Sequence, residues 1–248
     1  MTRPRLLDLC CSEGGAGMGY HLAGFEVVGI DIDPQPLYPF EFHQADALDY
    51  LADHADEFDA FHISPPCQYW STITPAAARD RYPQLIAPAR ALLLAIGKPF
   101  VIENVTGARR ELIDPVMLCG SSFDLRVRRH RYFESNVELS APPCDHARQG
   151  QPLGVYGSHG DKGVEYIRPG GGRRGRKAAD VEEARVAMGM PWASWHGCAE
   201  AIPPAYAHHL GTQLLAGFQP DPLDTHAQPC PFPPEGPRKT ESETRKPR

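Results

Sequence analysis

No apolar run in the 248 residues approaches the roughly 18 that a membrane-spanning helix needs, so no membrane partner is expected. The N-terminus, MTRPRLLDLCCSEGG, is basic but too short in apolar residues for a secretory signal, and a cytoplasmic location follows as the expectation. Cysteines number seven, an odd count without framework spacing, so disulfides are not expected and a reducing compartment is. There is no paired C-x-x-C. Cys144 and His146, even with His159 nearby, therefore make no metal signature, and no metal is expected. The glycine-rich turn lacks the Lys-Ser/Thr of a phosphate loop, which disfavours a triphosphate ligand. No internal repeat is present.

What is there is an ordinary globular composition, 42% hydrophobic and 23% charged, enough for one full-sized domain with a small appendage. The net charge of −6 argues by itself against a nucleic-acid partner, but its distribution argues the other way. Residues 1–60 hold two Lys/Arg against twelve Asp/Glu, whereas residues 126–177 hold eleven against five. An acidic half and a basic half suggest two ligands, the basic half facing a polyanion.

Strand and helix patterns alternate along the first half. RLLDL (Arg5–Leu9) reads as a buried strand and CCSEGGAGMGYHLAGF as a glycine-rich turn entering a helix. EVVGIDID (Glu26–Asp33), EFHQAD, EFDAFHIS and KPFVIENV (Lys98–Val105) read as four further strands, with a helix over Tyr82–Gly97. The alternation predicts a doubly wound, Rossmann-like, mostly parallel α/β sheet. The predicted core runs over residues 1–134 and is completed by helices within 179–218. Between them, residues 135–178 form a short irregular segment rich in Gly, Pro and Arg, and residues 219–248 read as a disordered tail that can be deleted without loss.

Chemistry concentrates where strands end, which is where open α/β sheets bind ligands. The DLCCSEGGAGMG turn brings backbone and helix N-terminus to a ligand. Asp31, ending the second strand, is placed for ribose hydroxyls, and Asp46, ending the third, for an adenine amino group. An acidic surround suits a sulfonium, so the cofactor these residues suggest is S-adenosylmethionine. SPPCQYW places Cys67 on a stiff loop behind two prolines, which cannot continue a ladder. VIENV puts Glu103 and Asn104 at the end of the neighbouring strand. RVRRHRYF alternates, which predicts Arg129 and Arg131 on one face of a strand.

Taken in this order, glycine-rich turn, strand-end acid, Pro-Cys-Gln, Glu-Asn-Val and Arg-x-Arg resemble the cytosine-C5 DNA methyltransferases, from about Leu6 to Phe218. EEARVAMGMPW and AIPPAYAHHLG resemble that family's late motifs. The resemblance implies S-adenosylmethionine as cofactor, double-stranded DNA as partner, a monomer, and a restriction–modification setting in a bacterium or its phage. It implies Cys67, Gln68, Glu103, Asn104, Arg129 and Arg131 as catalytic residues. Asp8, Cys10, Gly14, Gly15, Asp31, Ile32, Asp46, Ala47 and Pro66 are implied for the cofactor. Three departures bear on cofactor affinity: Cys10 replaces the usual aromatic and Ser12 the first glycine of the turn, and Ala199-Glu200 replaces Gly-Asn. Val127 stands where the family usually has Gln. A tRNA-acting branch shares Pro-Cys-Gln and Glu-Asn-Val, and a nucleic-acid-binding module with a vestigial pocket is the reading from another class. The shortness of residues 135–178 predicts a target of roughly two to four base pairs, because each bidentate base contact discriminates by only about 1–3 kcal/mol.

Overall fold

The computed structural model describes residues 2–157 and 176–217. His159, most of GGGRRGRK and the tail from Gln219 lie outside the described residues, and so do the expectations attached to them. In chain order the elements are β1 (Arg5–Leu9), α1 (Gly15–Ala23), β2 (Glu26–Asp31), β3 (Glu41–Gln44), α2 (Ala47–His54), β4 (Ala60–Ile63) and α3 (Ile86–Ile96). There follow β5 (Phe100–Val105), β6 (Val116–Leu118), β7 (Arg131–Ser135), α4 (His146–Gln149), α5 (Val181–Met188), α6 (Trp195–Glu200) and α7 (Pro204–Ala216).

The seven strands form one sheet in the order β3-β2-β1-β4-β5-β7-β6. β3, β2, β1, β4 and β5 run parallel, and β7 is antiparallel to both β5 and β6. Chain order reverses between β1 and β4, so the loops leaving their carboxyl ends diverge and open a crevice at that switch point. The two stretches singled out first in the sequence, CCSEGG after β1 and SPPCQ after β4, are the walls of this crevice. The doubly wound expectation therefore holds, with β4 and β5 as neighbours.

Both sheet faces are covered, which is why the central strands read as continuous apolar runs. Leu7, Leu9, Val28, Ile30, Phe61, Ile63, Phe100 and Ile102 pack under α2 and α3. Leu6, Val27, Ala60, Val101 and Phe133 pack under α1 and α7, where Tyr20, Tyr206 and Leu210 close the layer. A third cluster joins Val127, Leu153, Val155 and Ala178 to α5 and the residues after it. The two ends of the irregular segment thus belong to a core. They are also stitched together, as Gly154 N–H donates to Arg176 O at 2.8 Å and Ala178 N–H to Gly154 O at 2.9 Å.

Several element bounds differ from the sequence reading. The helix expected from Tyr82 begins at Ile86 and admits Pro88 in its first turn, where a missing donor costs nothing. Gly97, at φ 74°, ends it as expected. The RVRRHRYF strand begins only at Arg131, and β6 is too short, at three residues, to carry a readable alternation.

Candidate active site

The turn after β1 is built from left-handed positions. Cys10, Ser12 and Gly14 have φ of 54°, 46° and 80°. Such angles cost a non-glycine residue about 1 kcal/mol or more, so Ser12 bears strain that a glycine there would not. Its compensation is local: Ser12 N–H donates to Asp31 Oδ2 at 2.9 Å, while Asp33 N–H donates to Oδ1 at 3.1 Å. These bonds fix the strand-end carboxylate beside the turn. Next to it Ile32 is 66% exposed, an apolar side chain with no core to join. Gly15 is under cover, since a Cβ there would lie 2.3 Å from Ile202 O in the approach to α7.

Four of the cofactor-side expectations change. Asp8 is fully buried and accepts from Tyr38 Oη at 3.2 Å; burial pushes its carboxyl up to about 8, so it is neutral at neutral pH and adds no charge to the crevice. Asp46 is the N-cap of α2, its Oδ1 accepting from Leu48 N–H and Asp49 N–H at 2.9 and 3.1 Å. Ala47 buries its methyl in the core below α2, leaving only main chain to face outward. Cys10 packs partly into the same core, and burial next to Asp31 and Asp8 drives its thiol far up. Pro66 is half-buried on the loop after β4.

On the opposite wall Cys67 sits after the two prolines, with its own carbonyl accepting from Trp70 N–H at 3.1 Å and Ser71 N–H at 2.9 Å. Asn104 is fully buried and donates through Nδ2 to Pro65 O at 3.0 Å. It clamps the proline loop, so it positions Cys67 and does not itself reach into the crevice. Burial raises the Cys67 thiol despite the pull of Arg131 and then Arg129 in the other direction, with Glu103 opposing them. The arginines favour the thiolate, but desolvation outweighs them.

Glu103 is 6% exposed and ion-paired, with Arg131 Nε 3.1 Å from Oε1. Burial nevertheless holds its carboxyl above the usual range. Arg131 leads β7, but Arg129 does not share its strand. Its φ of 39° breaks the alternation, and Tyr206 Oη donates to both Arg128 O and Arg129 O to keep the kink. The Arg129 guanidinium donates to Val155 O at 2.9 Å and Ala199 O at 2.6 Å, tying the irregular segment to α6. It lies close enough to Cys67 and Glu103 for each to act on its charge.

Buried polar atoms without a partner mark where a ligand would bond. Among the described residues six side-chain atoms lack a hydrogen-bond partner, and four belong to the expected site: Asp8 Oδ1, Gln68 Oε1, Arg129 Nε, and Glu103 Oε1, which is held by its ion pair with Arg131. Glu103 and Arg129 both act on the Cys67 thiol.

Sequence reasoning missed two supports. Beneath Glu103 a buried row runs from Tyr20 Oη to His62 Nδ1 at 3.0 Å and from His62 Nε2 to Ser64 Oγ at 3.0 Å, and the Ser64 hydroxyl reaches Glu103. Burial takes His62 down to about 3, so it is a neutral spacer. The period-two register of β4 and β5, which puts His62 and Glu103 on one sheet face, was the available signal. The second support is Glu13, in the glycine-rich turn. Its carboxylate accepts from Ser194 N–H at 2.6 Å and Ser194 Oγ at 2.5 Å, and its carbonyl from Trp192 Nε1 at 2.7 Å. It latches the C-terminal motif onto the turn. Glu13→Ala strands the two Ser194 donors at about 1 kcal/mol or more each, so thermal unfolding of the variant is expected to come lower by at least roughly 4–8 °C.

Solved structures share this architecture. The chain matches the Entamoeba histolytica methyltransferase EhMeth over 89% of its length and 100% of that chain, with TM-score 0.58 and 12% identity. It matches the Schizosaccharomyces pombe Dnmt2 methyltransferase over 88% and 99%, with TM-score 0.57 and 14% identity. The fold is that of methyltransferases. In sequence, the chain is 32% identical over 124 residues to the type II methyltransferase M.XorII of Xanthomonas oryzae pv. oryzae. That homology spans 43% of this chain and 29% of the Xanthomonas protein, so the chain corresponds to less than a third of that relative. No protein-family model matches the sequence. No helix among the described residues is long and apolar enough to cross a membrane.

Proposed function

We propose that the chain transfers a methyl group from S-adenosylmethionine to carbon 5 of cytosine in double-stranded DNA. The observation that carries this reading is the grouping of the Cys67 thiol with Glu103, which Arg131 pairs, and with the buried Arg129 guanidinium, whose Nε lacks a hydrogen-bond partner. A binding module has no need of a nucleophile among such groups. Sulfonium-bound methyl is what the cofactor supplies. Asp31 would hold its ribose hydroxyls, Ile32 would cover its adenine, and the main chain of the turn through Gly14 and Gly15 would receive its polar end.

The chain's own residues do the rest. Cys67 adds through sulfur to carbon 6 of the cytosine, which makes carbon 5 electron-rich. Glu103, protonated, donates to ring nitrogen 3 and neutralises the charge that develops there. Arg131 keeps the Glu103 carboxyl in place, and Arg129 offers Nε toward the base or the thiolate. After transfer, a base removes the carbon 5 proton, and the electron pair of that bond expels Cys67 sulfur from carbon 6. The cytosine must leave the stack to reach the crevice, at a cost of a few kcal/mol.

Phosphate contacts would offset that cost. Arg126 and Arg176 share one acidic partner, Glu183, and Arg148 pairs with Asp124 and Asp145, so part of the described basic excess is offset within the chain.

The decisive assay transfers radiolabelled methyl from S-adenosylmethionine to unmodified duplex DNA and, in parallel, to tRNA, with modified cytosines mapped at base resolution. Label in DNA cytosine supports the proposal; label in tRNA alone, or none, removes it. Asp31→Ala is expected to weaken cofactor binding by about 1–3 kcal/mol through lost charged hydrogen bonds, read by calorimetric titration. An unchanged dissociation constant would exclude Asp31 as the ribose acid.

A further inference from the structure

Outside the crevice, on the far side of β7, four soft ligand groups converge. Cys119 follows β6, His130 precedes β7, and Cys144 and His146 lie at the start of α4. Their Sγ and Nε2 atoms all lie within 4.8 Å of one another. His130 Nε2 is 3.2 Å from His146 Nε2, Cys119 Sγ is 3.3 Å from His146 Nε2, and Cys144 Sγ is 3.6 Å from His130 Nε2.

These spacings are the edges of a coordination tetrahedron. With zinc bonds of about 2.3 Å to sulfur and about 2.0–2.1 Å to nitrogen, tetrahedral angles separate two nitrogens by about 3.3 Å and a sulfur from a nitrogen by about 3.6 Å. The measured separations agree to within a few tenths of an ångström. Two thiolates and two imidazoles, with no carboxylate, form a donor set that suits zinc and not magnesium or calcium. The surroundings support the ligands. Ser121 Oγ lies 3.1 Å from Cys119 Sγ and accepts from Asp145 N–H at 3.0 Å, which holds the Cys144–His146 turn against β6.

We infer that Cys119, His130, Cys144 and His146 bind one structural zinc ion. All four positions would be filled by protein, which leaves no site for water or substrate and makes the ion a staple, not a catalyst. The staple is useful where it stands. α4 is a single turn of four residues, too short to be stable alone. His130 lies between Arg129 and Arg131, so the ion would fix the chain that carries both arginines to the start of the irregular segment.

The sequence reading passed over this site because it looked for C-x-x-C and for ligands close in sequence. Cys144-x-His146 is one half of the set; the other half, Cys119 and His130, comes from the two antiparallel strands at the sheet edge.

The test needs no methyl transfer, so its outcome is independent of the proposed activity. The full chain, expressed without a histidine tag and purified without chelator, is analysed for metal by mass spectrometry. One zinc per chain is expected. Replacement by cobalt should give the intense visible bands of a tetrahedral site together with a thiolate-to-cobalt band in the near ultraviolet. Cys144→Ser should weaken the thiolate band by about half, and His146→Gln should lower zinc affinity at least tenfold. If those variants fail to fold, metal content and the cobalt spectrum of the unmodified chain decide alone. Substoichiometric metal after zinc reconstitution, an octahedral cobalt spectrum, or a Cys119–Cys144 disulfide in the native protein would each overturn the assignment.

Discussion

Cys67→Ser is expected to lower turnover by on the order of 10⁴-fold or more, the scale on which loss of an essential nucleophile is felt, while cofactor affinity changes by no more than a few-fold. The alcohol is of similar size, so Asn104 still clamps Pro65 and the loop keeps its place. What is lost is ionisation: a hydroxyl in a desolvated site near Glu103 has no accessible anion at neutral pH. Neighbouring thiols cannot substitute, because burial first, and the charge of Asp31 with it, drives Cys10 and Cys11 far from ionising. Single-turnover methyl transfer with saturating cofactor is the measurement. Residual activity above a few per cent would show that Cys67 is not the attacking atom.

Glu103→Gln is expected to cost about 10²–10³ in kcat, comparable to removing one preorganised donor from an oxyanion site. The amide can still bond ring nitrogen 3 but cannot pass a proton to it. The pH profile separates this role from a merely structural one. In the proposed mechanism the reacting state needs Glu103 protonated and Cys67 ionised; a thiol ordinarily ionises at higher pH than a carboxyl, and burial raises both groups here. In the unaltered protein the rate therefore rises with pH until Glu103 ionises. It then levels, because each gain in thiolate is matched by a loss of protonated carboxyl. The Gln variant has no such compensation, so its rate, though lower, should keep rising until Cys67 itself titrates. A plateau at the same pH in both proteins would assign the levelling to another group.

How far the sequence reached is seen in which residues it placed. Cys67 and Glu103 were legible because each stands at the end of an apolar run, and a parallel sheet brings strand ends together whatever the details of packing. Asp31 was legible for the same reason. Arg131 starts β7, whose antiparallel pairing with β5 brings it to the same end of the sheet. Arg129 was misplaced because an alternating pattern says nothing of a residue forced to positive φ by a tyrosine 77 positions later. Asp8 reads as a cofactor contact from the family resemblance, and Asp46 from its position at a strand end. Burial decides the first, and capping competes for the second; neither follows from spacing. Glu13 and His62 were invisible because their partners come from distant elements, and no local period announces a tertiary hydrogen bond. Asn104 was found beside Glu103, but its bond to Pro65 was not, because that partner lies on another strand's loop.

The stitch between Gly154 and the 176–178 stretch has a consequence for how such a chain can change. Its two ends enter and leave the core side by side, and both are anchored by buried neighbours, Leu153 and Val155 before the bridge and Ala178 after it. Doubling the length of a loop between fixed ends costs only about 0.6 kcal/mol in closure entropy, so residues could be gained or exchanged between these anchors while the crevice stays intact. Selection for a different target would act on a part the rest of the molecule barely notices.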